Sequence, residues 1–131
     1  MKRIVFIYST VDGHTLKICK FLAKIAADHG FKADVSQLTP SSMIDLEVYD
    51  QIVIGASIRY GKHRPELLQF ITNNLKTIEL KNGAFFSVNA VARKPNKKTA
   101  LDNPYVRKFL EKTDWKPKII GIFGGMINYP I

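Results

Sequence analysis

The stretch Ile4-Val-Phe-Ile-Tyr-Ser-Thr-Val-Asp-Gly-His-Thr15 decides the fold. Its first part, Ile4 to Tyr8, is an apolar run without alternation, the pattern of a parallel strand covered on both faces. A short polar loop follows, with hydroxyls at Ser9, Thr10 and Thr15 and a flexible Gly13. A helix is expected to begin near His14. The free N–H groups of a helix start, at the positive end of the helix dipole, form an anion site. The physical reading is therefore a phosphate cradle running from Ser9 through Val11 and Asp12 to Thr15. A plain strand–turn–helix with a hydroxyl cap accounts for the same residues without a ligand.

The loop excludes two nucleotide sites. No Gly-Lys-Ser/Thr follows, so it is not the loop that grips a nucleoside triphosphate. The three spaced glycines of a dinucleotide fingerprint are also missing. Hydroxyl donors without a lysine suit one phosphate monoester, as carried by flavin mononucleotide (FMN). The spacing Thr10, Gly13, Thr15 resembles the loop of the flavodoxin-like family. Phe6 and Cys19 stand where that signature has an aliphatic residue and an alanine, and both are apolar.

Outward from the loop, Leu16, Ile18, Cys19, Leu22, Ile25 and Ala26 recur at helical spacing. They predict a helix to about His29, capped by Gly30. Phe31–Leu38 reads as a second strand with Ala33 and Val35 on one side. Thr39-Pro-Ser-Ser42 is turn chemistry, and the stretch to Asp50 is short and helix-like at best. Gln51–Ala56 is a third strand. Pro65 opens a helix as its first residue, with Leu67, Leu68, Ile71 and Leu75 as the buried stripe. Asn82-Gly83 is a turn, and Ala84–Val91 is a fourth strand. Asn103-Pro104 caps a further helix carrying Val106, Phe109 and Leu110. Ile119–Phe123 is a fifth strand, followed by Gly124-Gly125. Alternating strands and helices signal a parallel α/β sheet. The expected fold is a flavodoxin-like, doubly wound five-stranded sheet of order 2-1-3-4-5 in a single domain. A last helix is expected after strand five, yet the sequence ends at Asn128-Tyr-Pro-Ile131. Either the domain is truncated at its C-terminus or a partner chain, such as a second copy, covers that face.

Length and composition narrow the class. The 131 residues suffice for one core, and 46% apolar with 24% charged residues fits a globular domain. One cysteine excludes a disulfide framework and a cysteine metal site, and Cys19 is expected in the core. No metal site is expected. Lys2-Arg3 leads straight into strand residues, so no signal peptide is expected. No apolar run approaches the roughly 20 residues that span a bilayer. A cytoplasmic location follows as the expectation. The net charge is +9, and Arg93 to Lys118 holds nine Lys/Arg against three acids. Such a surface attracts anionic lipid headgroups, a carboxylate-bearing substrate or nucleic acid. Nucleic acid is disfavoured, because no aromatic stacking platform interleaves the basic residues and the phosphate loop would be unexplained. Gly55-Ala-Ser57 lacks the acceptor aspartate of a receiver domain, and no cysteine sits in the loop as in a cysteine phosphatase.

In an open α/β sheet the ligand sits at the carboxyl ends of the strands, at the switch between strands one and three. Three loops meet there: Ser9–Thr15, Ser57–Arg64 and Asn89–Pro95. Tyr60 can stack on a flat ring, and Gly61 allows close backbone approach. The third loop has no aromatic residue, which leaves one ring face open to a substrate. Arg59, Arg93 and Lys94 near the ring would stabilise a reduced, anionic flavin. Both features favour an enzyme over a flavodoxin-type electron carrier, the alternative reading. His63, just before the helix, is expected on the surface.

Four blocks carry a closer resemblance: Ile54-Gly-Ala-Ser-Ile-Arg-Tyr-Gly61, Phe86-Ser-Val-Asn-Ala-Val-Ala-Arg-Lys-Pro95, Tyr105-Val-Arg-Lys-Phe-Leu110 and Trp115-Lys-Pro117. They resemble the menaquinone-dependent protoporphyrinogen oxidase family across essentially the whole chain. The resemblance implies a flavodoxin-like, FMN-binding enzyme peripherally attached to the cytoplasmic face of the inner membrane. It implies oxidation of protoporphyrinogen IX to protoporphyrin IX, with electrons passed to menaquinone or another quinone. It places Ser9, Thr10, Gly13, His14 and Thr15 on the FMN phosphate. Ser57, Ile58, Arg59, Tyr60 and Gly61, with Asn89, Ala90 and Val91, line the ring. Arg59, Arg93 and Lys94 meet the two porphyrin propionates. No side chain is marked as a general base; released protons go to water or to His63.

Overall fold

A computed structural model of the chain describes residues 2–9, 14–39, 44–57, 63–88 and 103–123, with His14 described by its backbone. The elements are β1 (Arg3–Ser9), α1 (His14–Asp28), β2 (Lys32–Gln37), β3 (Gln51–Ser57), α2 (Pro65–Leu80), β4 (Ala84–Val88), α3 (Pro104–Lys112) and β5 (Ile120–Phe123), with a 3-10 turn at Leu46–Val48. The strands form one parallel sheet in the order β2-β1-β3-β4-β5, the topology expected from the alternation of strands and helices. β1, β3 and β4 are interior, which is why their runs are apolar rather than alternating.

Side chains alternate across the sheet and split the core in two. Val5, Ile7, Ile52, Ile54 and Phe85 join Leu67, Phe70, Ile71 and Ile78 of α2, Phe109 of α3, and Trp115. On the other face Ile4, Phe6, Phe86 and Val88 cluster with Ile18 and Cys19 of α1. Cys19 is a core residue, as expected, and burial pushes its thiol up to about 12. α1 packs on β2, β1 and β3. Beyond it on that face, the Phe86 ring lies over Gly55, where a Cβ would come within 2.0 Å of the ring. Phe86 also stands edge-on to Phe123 at 5.5 Å. The final helix expected on this face concerns residues beyond Phe123, outside the described ones.

Helix ends follow local chemistry. Gly30 takes φ +92°, and Phe31 N donates to Ala26 O at 3.1 Å while Gly30 N donates to Ala27 O. This left-handed glycine cap satisfies the last carbonyls of α1. α2 begins on Pro65 as expected, but its buried stripe is Leu67, Phe70, Ile71 and Ile78. Leu68 and Leu75 flank it, partly buried. Asn74 leaves helical geometry (φ −123°, ψ 16°), and its side chain donates to Phe70 O at 2.9 Å. An asparagine that bonds the backbone a turn earlier bends a helix in this way. At the far end of α2, Lys81 Nζ donates to Glu47 O and Tyr49 O, holding the 3-10 turn against the helix.

Asn103 caps α3 as its sequence predicts, with Oδ1 accepting from Tyr105 N and Val106 N at 3.2 and 3.3 Å. Lys116 Nζ closes the other end by donating to Leu110 O and Thr113 O. Asn103→Ala is expected to cost about 1 kcal/mol in urea unfolding, the usual worth of such a cap. Asn103→Asp should recover most of it.

Candidate functional site

The register of the sheet brings the site strands together. Ser9, at the end of β1, pairs with Ala56, and the next residue of β3, Ser57, pairs with Val88 at the end of β4. The three loops expected at the site therefore leave from adjacent strand ends. Their interiors lie outside the described residues: Thr10, Val11, Asp12 and Gly13; Ile58, Arg59, Tyr60 and Gly61; Asn89, Ala90, Val91, Arg93 and Lys94. Of the sequence-predicted residues, Ser9, Thr15 and Ser57 are described in full, and His14 by its position as the first residue of α1.

The β1–α1 junction has the chemistry of an anion site. Ser9 and Thr15 are 1% and 0% exposed. Among the described residues, neither Ser9 Oγ nor Thr15 Oγ1 has a hydrogen-bond partner. A buried hydroxyl left unpaired costs about 1–3 kcal/mol, so two at one junction are a standing cost unless something accepts from them. No acidic residue occupies the first turn of α1, where a negative side chain would offset the positive dipole end. A phosphate monoester fits this donor set. Ser57 is 4% exposed and engaged in interactions of its own.

The histidine expected on the surface is turned inward. His63 Nε2 and Ser87 Oγ share a hydrogen bond of 3.0 Å. The imidazole sits edge-on to Phe85 at 5.8 Å and to Phe109 at 5.6 Å. Burial among these rings, aided by the Lys112 charge, pushes its pKa down to about 4. Desolvation disfavours the imidazolium, so His63 is a poor proton acceptor at neutral pH. Sequence reading missed Ser87 as well. Its signal was a lone hydroxyl inside a buried apolar strand, which requires a partner.

A cavity of about 370 Å³ lies between Leu38 and Thr39 after β2 and the Pro65–Asn73 part of α2. Glu66 on its wall pairs with Arg64 at 2.7 Å. On α3 and just beyond it, Arg107, Lys108, Lys112, Lys116 and Lys118 are exposed, with Glu111 and Asp114 among them. This is the described part of the basic stretch.

Residues 5–131 match the family model described as a flavodoxin domain. Over 130 residues the chain is 38% identical to protoporphyrinogen IX dehydrogenase (quinone) of Escherichia coli K12, covering 99% of this chain and 71% of that protein. The chain belongs to the flavodoxin-domain family of the protoporphyrinogen IX dehydrogenases. A Leishmania major protein of the same name is 36% identical over 129 residues, covering 98% of this chain and 56% of that protein. Solved structures agree on the fold of this flavodoxin-domain protein. A short-chain flavodoxin associated with a bacterial microcompartment superposes with a TM-score of 0.65 at 15% identity, covering 94% of this chain and 84% of that one. Flavodoxin 1 from Bacillus cereus gives 0.56 at 17%, covering 93% and 85%. The chain is thus a flavodoxin-type oxidoreductase with a flavin as its implied cofactor, and the two unpartnered hydroxyls at the β1–α1 junction fit the phosphate of such a group. Among the described residues, no helix is long and apolar enough to cross a membrane.

Proposed function

We propose that the chain binds FMN and oxidises protoporphyrinogen IX to protoporphyrin IX, with electrons passed to menaquinone or another quinone. The observation that carries this reading is the match to the E. coli protein of that name along almost the entire chain. The unpartnered hydroxyls of Ser9 and Thr15 support the cofactor part of it. When bound, the flavin supplies a two-electron acceptor. The residues of this chain do the holding. Ser9 to Thr15, with the start of α1, take the phosphate. Ser57 to Gly61, with Asn89, Ala90 and Val91, line the ring, and Tyr60 stacks on it. Arg59, Arg93 and Lys94 pair with the substrate propionates. The exposed cations of α3 turn toward anionic lipid headgroups, where a quinone dissolved in the bilayer is within reach.

Adding FMN and then, without oxygen, protoporphyrinogen IX to the purified protein tests the reading by absorbance. Bound FMN is expected to bleach, and added quinone to restore the flavin, so that porphyrin absorption grows over the three two-electron rounds that the six-electron oxidation needs. Bound FMN that stays oxidised would turn the reading into that of an electron carrier. Failure to bind FMN would overturn the cofactor assignment itself. Thr15→Val provides a sharper check, since it keeps the shape and removes one unpartnered hydroxyl. FMN affinity should fall about tenfold, while the flavin-free protein should gain about 1 kcal/mol of stability. Loss of both affinity and stability would mean that the hydroxyl serves the fold instead.

A further inference from the structure

His63 closes the loop that leaves β3 at Ser57 and hands the chain to α2, which starts two residues later. Ser87 lies in β4, one residue before the end of that strand. Their hydrogen bond of 3.0 Å therefore joins the end of the second site loop to the strand that launches the third. We propose that the His63–Ser87 hydrogen bond is a positioning device that fixes the start of α2 against the end of β4, where two flavin-site loops are anchored, with the aromatic rings around it acting as its housing. This rests on the FMN reading for its purpose, though not for its geometry.

Three observations carry the assignment. The bond spans the chain between positions 63 and 87 and so constrains tertiary rather than local structure. Ser87 is fully buried and pairs with Ala56 on one side and Ile122 on the other, so its hydroxyl stands on a rigid strand. Phe85 and Phe109, stacked at 4.1 Å and 5°, both meet the imidazole edge-on and hold it in one orientation. The bond is part-buried beside these rings, which weakens competition from water and lets it fix distance better than an exposed one. Among the described residues, the groups shown against the imidazole are these two rings, the Ser87 hydroxyl and the Lys112 charge. None of them is an acid. A neutral histidine bonded to a serine suits a fixed spacer, and a proton carrier would need a partner that takes the proton.

Two substitutions separate the bond from the packing. His63→Gln puts an amide where Nε2 stands and gives up the ring, whereas His63→Phe keeps the ring edge and gives up the bond. Ser87→Ala removes the other end. Each variant is followed by FMN affinity, by the visible spectrum of the bound flavin, and by amide exchange at Ser57 and Val88 in the flavin-free protein. The expected result is an affinity about tenfold weaker, a shifted flavin spectrum, and about tenfold faster exchange at both amides for His63→Phe and Ser87→Ala. His63→Gln should stay near the wild type. The reverse order, with Phe tolerated and Gln damaging, would overturn the proposal in favour of packing. So would faster exchange that reaches Val5 and Ile54 equally, which means general loosening. Failure of the wild type to bind FMN would sink the function proposed above, while the exchange measurements would still decide the role of the bond.

Discussion

Phe109→Ala is expected to lower the free energy of unfolding by about 4 kcal/mol, the largest single-residue effect foreseen in this chain. α3 has nine residues, too few to be stable as an isolated helix. What holds it is its buried side, Val106 and Phe109, at 0% and 2% exposure. Phe109 stacks on Phe85 and meets Trp115 edge-on at 6.4 Å. Trp115 in turn meets Phe85 at 6.1 Å, so the three rings close on each other. Removing the central ring leaves a cavity bounded by β4, Trp115 and His63, and a sheet does not relax to fill it. Phe109→Leu keeps most of the volume and should cost about 1–2 kcal/mol. Urea unfolding of both variants at unchanged slope checks the figures. A loss below about 1 kcal/mol for alanine would mean that α3 is held by its cap and backbone rather than by this ring.

The second large effect is on acid stability. His63 has its pKa pushed down to about 4 from an ordinary 6.5 by burial among Phe85 and Phe109 and by the Lys112 charge. The unfolded chain therefore takes up a proton at this residue at a higher pH than the folded one. Stability from keeping His63 neutral is complete above pH 6.5 and is lost as pH falls from there through 4. The full difference is about 3 kcal/mol. It is read as the pH dependence of the wild type minus that of His63→Phe, measured by urea unfolding between pH 7 and pH 4. The difference should fall steadily over that window. A flat difference would mean that the imidazole reaches solvent and titrates normally.

These two effects come from the same corner of the molecule, where β4, α3 and the start of α2 meet. That corner adjoins the site strands but does not contain the buried hydroxyls of Ser9 and Thr15. Thr15 lies at the start of α1 and Phe109 in the ring cluster of β4 and α3, so the effects of Thr15→Val and Phe109→Ala on stability should add.

Much of this protein was determined by the sequence alone, because the relevant physics is local. Apolar runs without alternation at Ile4–Tyr8 and Gln51–Ala56 required strands covered on both faces. Helical spacing from Leu16 to Ala26 required α1, and Gly30 ended it by adopting the one backbone region that other residues avoid. Asn103-Pro104 set the start of α3 through a bond that spans three residues. The strand ends expected to carry the site were legible as well. Ser9 and Thr15 stand out in the sequence as hydroxyls flanking a strand–helix loop, and they are buried without hydrogen-bond partners, while the sheet register places the strand ends side by side. Tertiary structure decided what depends on distant partners. Periodicity marked Leu68 and Leu75 for the stripe of α2, but the bend at Asn74 and the neighbouring elements chose Phe70 and Ile78. A position next to a helix start marked His63 as a surface residue. Phe85, Phe109 and Ser87, which lie more than 20 residues away in the chain, turned it inward, for an imidazole gains more from rings and a buried hydroxyl than from water. No local pattern encodes that choice, because it is made by residues that meet only when the sheet has closed.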